Sequence, residues 1–170
     1  MRAEGAAQVE VRVAGPEDWA RWRALRLEAL EDTPIGFLET LEAAAVKDEG
    51  YWRARMSDVP FSVLVEVDGV PVAMASAFLH DDRVFLGAVY ITPRWRGRRH
   101  PVLARLVEAV AGWAGSSTGR LLLEVHETNL RARAAYARLG FVETGATVPY
   151  PLEPGGLEVE MVLTLDAGGG

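Results

Sequence analysis

Residues 61–91 constrain this chain more than any other stretch, because they hold three strand-like runs joined by tight turns. Phe61 to Val67 ends in Asp68-Gly69, a dipeptide suited to the positive-φ positions of a hairpin turn. Val70 to Leu79 follows, His80-Asp81-Asp82 forms a second turn, and Val84 to Ile91 is the third run. Strands connected this closely make an antiparallel meander. The fold must therefore be built around a sheet.

The flanking periodicity adds helices. Val9, Val11 and Val13 alternate with polar residues as in a strand, and Gly15-Pro16-Glu17-Asp18 opens a helix with proline and two acids in its first turn. Trp19, Trp22, Leu25, Ala29 and Leu30 recur at helical spacing until Asp32-Thr33-Pro34. Further helices are expected near Phe37–Val46 and Glu49–Met56. After the meander, Val102, Leu103, Leu106, Val107, Val110 and Ala114 form one helical stripe. A short strand at Leu121–Val125, a helix at Asn129–Leu139 stopped by Gly140, and strands at 141–147 and 157–165 complete the chain. The expected architecture is a mixed α/β fold with a mostly antiparallel sheet of six to seven strands flanked by helices.

With 170 residues, one domain over 1–170 is expected, with frayed ends at about 1–7 and 166–170. A chain of this size buries roughly 70% of its unfolded surface. It has no cysteine, which excludes a disulfide scaffold, a thiol nucleophile and a thiolate metal site. No apolar h-region follows Met1 and no apolar run approaches membrane-spanning length, so a cytoplasmic protein without a membrane partner is expected. The net charge of −6 argues against nucleic acid as a partner.

Two segments carry chemistry. Arg94, Arg96, Arg98 and Arg99 fall within six residues, followed by His100 and Pro101, between a strand ending at Ile91 and a helix. A helix start offers outward amides and a positive dipole end, and guanidiniums suit phosphate oxygens. A solvated basic turn is the plain alternative, but the setting favours a phosphate-bearing ligand. A Walker loop is excluded because no Gly-Lys-Ser/Thr element is present. In the second segment, Asn129 is the only asparagine and stands at a helix start, where capping explains it structurally. Tyr136 lies two turns on, on the same face, with the small Ala132 between them. A core aromatic is the structural alternative for Tyr136.

Together these segments resemble the GNAT superfamily of acyl-CoA-dependent N-acyltransferases. The first motif runs from Ile91 through Arg96 to Arg99 and Pro101, which occupy positions where the family usually has glycine. The second, Asn129, Ala132, Tyr136, Gly140 and Phe141, matches throughout. The resemblance covers most of 8–165. It implies direct transfer of an acetyl group from acetyl-CoA, without metal, to a primary amine of a small molecule or a protein N-terminus. It places acetyl-CoA against Tyr90, Ile91, Arg96, Gly97, Arg98, Arg99, His100, Pro101 and Val102, and against Asn129, Ala132, Tyr136 and Arg138. Tyr136 would protonate the leaving thiolate, and the amide at the Ile91 end of its strand would bind the thioester carbonyl. Glu124 and His126 both qualify as the base and share one strand face, so the two remain open. A binding module weakened toward CoA by Arg99 and Pro101 is the competing reading, and an unrelated nucleotide- or flavin-binding fold is a distant third. The Pro-rich 146–157 loop is a candidate homodimer surface.

Overall fold

A computed structural model describes residues 7–115 and 118–166. The ends expected to fray therefore lie outside the described residues, apart from Ala7 and Asp166. The strands are β1 (Val9–Val13), β2 (Phe61–Val67), β3 (Val70–His80), β4 (Arg83–Ile91), β5 (Arg120–His126), β6 (Val142–Pro149) and β7 (Leu157–Thr164). The helices are α1 (Trp19–Asp32), α2 (Leu41–Ala45), α3 (Glu49–Asp58), α4 (Val102–Ala114) and α5 (Leu130–Arg138). The seven strands form one sheet in the order β1-β2-β3-β4-β5-β7-β6. Every neighbouring pair is antiparallel except β4 and β5, which run parallel and are joined by a single bridge, Phe85 to Leu122.

Strand alternation sorts side chains onto two cores. Val63, Val65, Ala73, Ala75, Leu86, Leu121 and Leu123 face α4, which contributes Leu106, Val107 and Val110. Leu64, Met74 and Tyr90 face the opposite way, under Trp22, Leu25, Leu30 and Trp52 of α1 and α3. Fully burying side chains of this size contributes about 1.5–3 kcal/mol each relative to exposure.

The pattern shifts parity inside β4. Val84 and Leu86 face α4, yet so do Val89 and Ile91, while Ala88 and Tyr90 pack toward α1. The cause is a bulge: Ser76 pairs with Gly87 and Met74 with Tyr90, so Ala88 and Val89 together oppose Ala75. Ala88 takes φ +50, a left-handed conformation that costs a residue with a Cβ roughly 1–2 kcal/mol. The extra residue bends the strand and increases its local twist. At that point β4 has left β5, because no bridge beyond Phe85–Leu122 joins them.

The helix expected over 37–46 is shorter. Phe37 is extended, and Thr40 caps α2 by accepting the Ala43 amide at 3.2 Å. Tertiary contacts hold Phe37 there: its carbonyl accepts the Tyr150 hydroxyl at 2.9 Å, and its ring lies 4.4 Å from the Arg26 guanidinium.

Candidate active site

The divergence of β4 and β5 opens a cleft of about 350 Å3. One wall is the bulged stretch Leu86–Ile91, and the facing walls are β5 and α5. The backbone of β4 is prepared for a ligand. Thr92 donates its N–H to the Val72 carbonyl at 2.9 Å, so the ladder alternation turns the Ile91 amide away from β3, toward the gap. The Ile91 carbonyl is occupied, accepting from Arg96 Nε at 2.7 Å.

Arg96 is thus held in place. Its Nη2 also pairs with Asp32 at the end of α1, and its guanidinium lies 5.4 Å from the Tyr90 ring. Tyr90 is buried and donates its hydroxyl to Glu28 at 2.9 Å. Burial and these acids push the phenol pKa up. Tyr90 and Arg96 therefore line the cleft while tying the end of β4 to α1. Gly97 and Arg98 also line it. Gly97 adopts φ +93, a conformation glycine reaches without the Cβ penalty. Arg98 is exposed at the mouth and Arg138 stands across the cleft on α5. The other residues of the loop do not reach the cavity. Arg99 is exposed, His100 packs edge-on against Trp95 with centroids 4.8 Å apart, Pro101 precedes the first turn of α4, and Val102 is buried in the α4 core.

On α5, Asn129 Oδ1 accepts the Ala132 amide at 3.2 Å, and both residues line the cleft. Tyr136, on the same face, is 9% exposed and lies edge-on to Phe141. Desolvation raises its pKa, so the hydroxyl keeps its proton at neutral pH. Gly140, at φ +100, ends this helix in a conformation open to glycine.

Glu124 and His126 both line the cleft on the face of β5 away from α4, but their surroundings differ. His126 is 3% exposed and both ring nitrogens are engaged. Nδ1 accepts the Thr128 amide at 3.2 Å and contacts the Thr128 hydroxyl at 2.8 Å. The ring proton therefore sits on Nε2, donated to Glu153 at 2.9 Å. Tyr150 packs edge-on to the ring at 4.8 Å. His126 thus anchors the loop between β6 and β7. Glu124 is exposed on the cleft wall, with no hydrogen-bond or ion-pair partner among the described residues. Partial desolvation, then the charge of Glu160, pushes its pKa up.

The sequence reading missed Glu158. On β7 it sits opposite His126, buried, at the cleft floor. Desolvation first, then the charge of Glu124, raises its pKa. Its only signal in the sequence is the alternation of Glu158 and Glu160 with Val159 and Met161. The cleft also takes in Thr33, Ile35 and Gly36 beside α1. Among the described residues, no group of three or more His, Asp or Glu side chains is placed to hold a metal ion, and no helix is long and apolar enough to cross a membrane.

The Acetyltransferase (GNAT) family model matches residues 19–141, and the chain belongs to that family. No curated protein matches it. Solved structures share the fold at low identity. An acetyltransferase of the GNAT family from Streptococcus pneumoniae aligns with TM-score 0.67 and 22% identity over 93% of this chain and 99% of its own. A phosphinothricin acetyltransferase from Sinorhizobium meliloti, solved with acetyl-CoA, aligns with TM-score 0.73 and 17% identity over 92% and 88%. A ribosomal-protein-S5-alanine acetyltransferase from Vibrio fischeri gives TM-score 0.75 and 13% identity over 98% and 100%.

Proposed function

We propose that residues 1–170 act as one catalytic domain transferring an acetyl group directly from acetyl-CoA to a primary amine, on a small molecule or a protein N-terminus. The observation that carries this is the polarity of the cleft. Arg96 and Arg98 line it from the loop after β4, Arg131 and Arg138 from α5, Glu124 and Glu158 from β5 and β7, and Tyr136 lines the same space.

In this reading the pyrophosphate lies against Gly97 and Arg98, with Arg138 near the nucleotide phosphate. The thioester carbonyl accepts the Ile91 amide, a donor already aimed where the oxyanion develops. Glu124 takes the proton from the incoming ammonium, since its raised pKa brings it toward that of a useful base. The neutral nitrogen attacks the carbonyl carbon, the C–S bond breaks, Tyr136 gives its proton to the departing thiolate, and the nitrogen's remaining extra proton restores the phenol. With no cysteine in the chain, transfer needs no thiol-bound acyl intermediate. His126 supports the acceptor wall, its ring held between Thr128 and Glu153.

A second reading, a GNAT-fold binding module with weakened affinity for CoA, draws on Pro101, which has no N–H to offer at the start of α4. Calorimetric titration with acetyl-CoA separates the two. The enzyme reading expects binding, and CoA thiol release once an amine is added; absence of binding at high micromolar ligand sinks it.

A further inference from the structure

Four carboxylates gather around the β5–β7 part of the sheet face away from α4: Glu124, Glu158 and Glu160 on the strands, and Glu153 from the loop after β6 through its bond to His126. Two are already satisfied. Glu160 pairs with Arg83 at 3.1 Å and accepts the Thr144 hydroxyl at 2.9 Å, and Glu153 accepts from His126. Glu124 and Glu158 have no hydrogen-bond or ion-pair partner among the described residues. Glu158 is 8% exposed and lines the cleft. Drawing the Glu158 carboxylate largely out of water costs free energy, and a cation bound beside it in the cleft would offset that cost.

The strand order fixes where each carboxylate stands relative to the reaction. β5 lies next to β4 and its bulge, and β7 lies one strand further out. Glu124 is therefore nearer the Ile91 amide, and Glu158 stands about 4.8 Å further across the sheet and one pleat along. Glu124 sits directly opposite Glu160, and Glu158 is its diagonal neighbour, a relation that separates the chain positions by about 7–8 Å. Two nitrogens joined by a few methylenes span such a gap.

Building on the acetyltransferase reading above, we propose that the acceptor is a short-chain diamine, its reacting nitrogen at Glu124 and its second ammonium at Glu158. In the transfer step the reacting nitrogen loses one proton to Glu124 and forms the N–C bond. The C–S bond breaks, the thiolate takes the Tyr136 proton, and the nitrogen's second proton passes to the phenolate and restores Tyr136. The second ammonium stays charged on Glu158 throughout. The net change converts one ammonium and acetyl-CoA into an amide, CoA thiol and one released proton. An acceptor with a carboxylate at that end meets Glu158 as a like charge and is rejected.

Putrescine, n-butylamine and γ-aminobutyrate test this, because they share a chain length and differ in the second end: cationic, neutral or anionic. With acetyl-CoA at fixed ionic strength, kcat/KM is expected to fall in that order, with putrescine at least about 10-fold above n-butylamine. Glu158→Gln should bring the putrescine to n-butylamine ratio close to one, mainly through KM for putrescine. The variant should melt no lower than the parent, because it removes an unpaired buried charge. If it fails to fold, the parent's ratio and its decline with added salt decide the question. A parent ratio of one or less, an unchanged ratio in folded Glu158→Gln, or faster transfer to an alanine-ended peptide than to putrescine would overturn the proposal. Transfer to n-butylamine without any preference for putrescine sinks the diamine alone; failure to bind acetyl-CoA sinks the acetyltransferase reading itself.

Discussion

Tyr136 and Glu124 occupy one cleft, and their surroundings push each toward a different role. Burial holds the Tyr136 proton in place at neutral pH, which suits a donor. Replacing it with Phe removes one hydroxyl and keeps the packing against Phe141. The expected loss is on the order of 10²-fold in kcat with acetyl-CoA affinity little changed; steady-state thiol release and calorimetry measure the two. Unchanged turnover would remove Tyr136 from the acid role. Glu124 must be ionised to accept a proton, and its pKa is raised. The sign follows: kcat/KM should rise with pH through a midpoint above the roughly 4.3 of a free glutamate. Glu124→Gln should lower kcat and flatten that acid limb; a limb that persists in the variant assigns it to another group. Legibility differed sharply between such residues. Asn129, Ala132 and Tyr136 share one face because helical spacing is local and regular. Glu158 escaped notice because its neighbour Glu124 is 34 positions away in the chain, brought close by the β5–β7 pairing. The pinning of His126 by Thr128 and Glu153 was equally invisible to spacing, since Glu153 reaches back from the loop after β6.

Most elements were legible because each has its own periodic stripe and stop signal. Asp68-Gly69 and Gly140 mark real boundaries, and residues 102–114 fold as the single helix their stripe predicts. The bulge in β4 was not legible. Apolar residues fill the strand on both sides of Ala88, so no polar residue marks the shift in parity. Phe37 likewise follows Tyr150 and Arg26 rather than its own helical spacing. The arginine loop shows how one basic run divides its labour. Arg96 fastens β4 to α1, whereas Arg98 stands at the mouth of the cleft. Arg98→Ala should therefore weaken acetyl-CoA binding and reduce its dependence on salt. Arg96→Ala should lower the melting temperature as well, by breaking the tie to Asp32. Calorimetry at two salt concentrations with a thermal melt distinguishes them, and equal effects on both readouts would contradict this division.

Across the whole molecule, the first half of the sheet is held by charge as well as by core. Arg12 of β1 bonds Asp18 at 2.8 Å and Glu66 of β2 at 2.9 Å. The Arg12 hydrogen bonds hold both carboxyl pKa values below their ordinary range. Stability from this network is present above the unfolded carboxylate pKa, near 4, and is lost as pH falls through the depressed folded values. Arg12→Met should cost about 1–2 kcal/mol at pH 7, allowing for its partial exposure, and the difference should shrink toward zero in strong acid. Denaturant unfolding at both pH values measures it, and a pH-independent difference would place the effect in packing. Beyond β4 the sheet is joined differently. A single backbone bridge, Phe85 to Leu122, couples the meander to the β5-β7-β6 half. The sheet thus has a seam, and the cleft lies along it. A ligand seated there, bonded to the Ile91 amide on one side and to the carboxylates of β5 and β7 on the other, would act as a rung replacing those the strands lack. Backbone amides on both lips of the seam would then exchange slowly with solvent only while it is filled, and acetyl carrier and acceptor together would stiffen the sheet that aligns them.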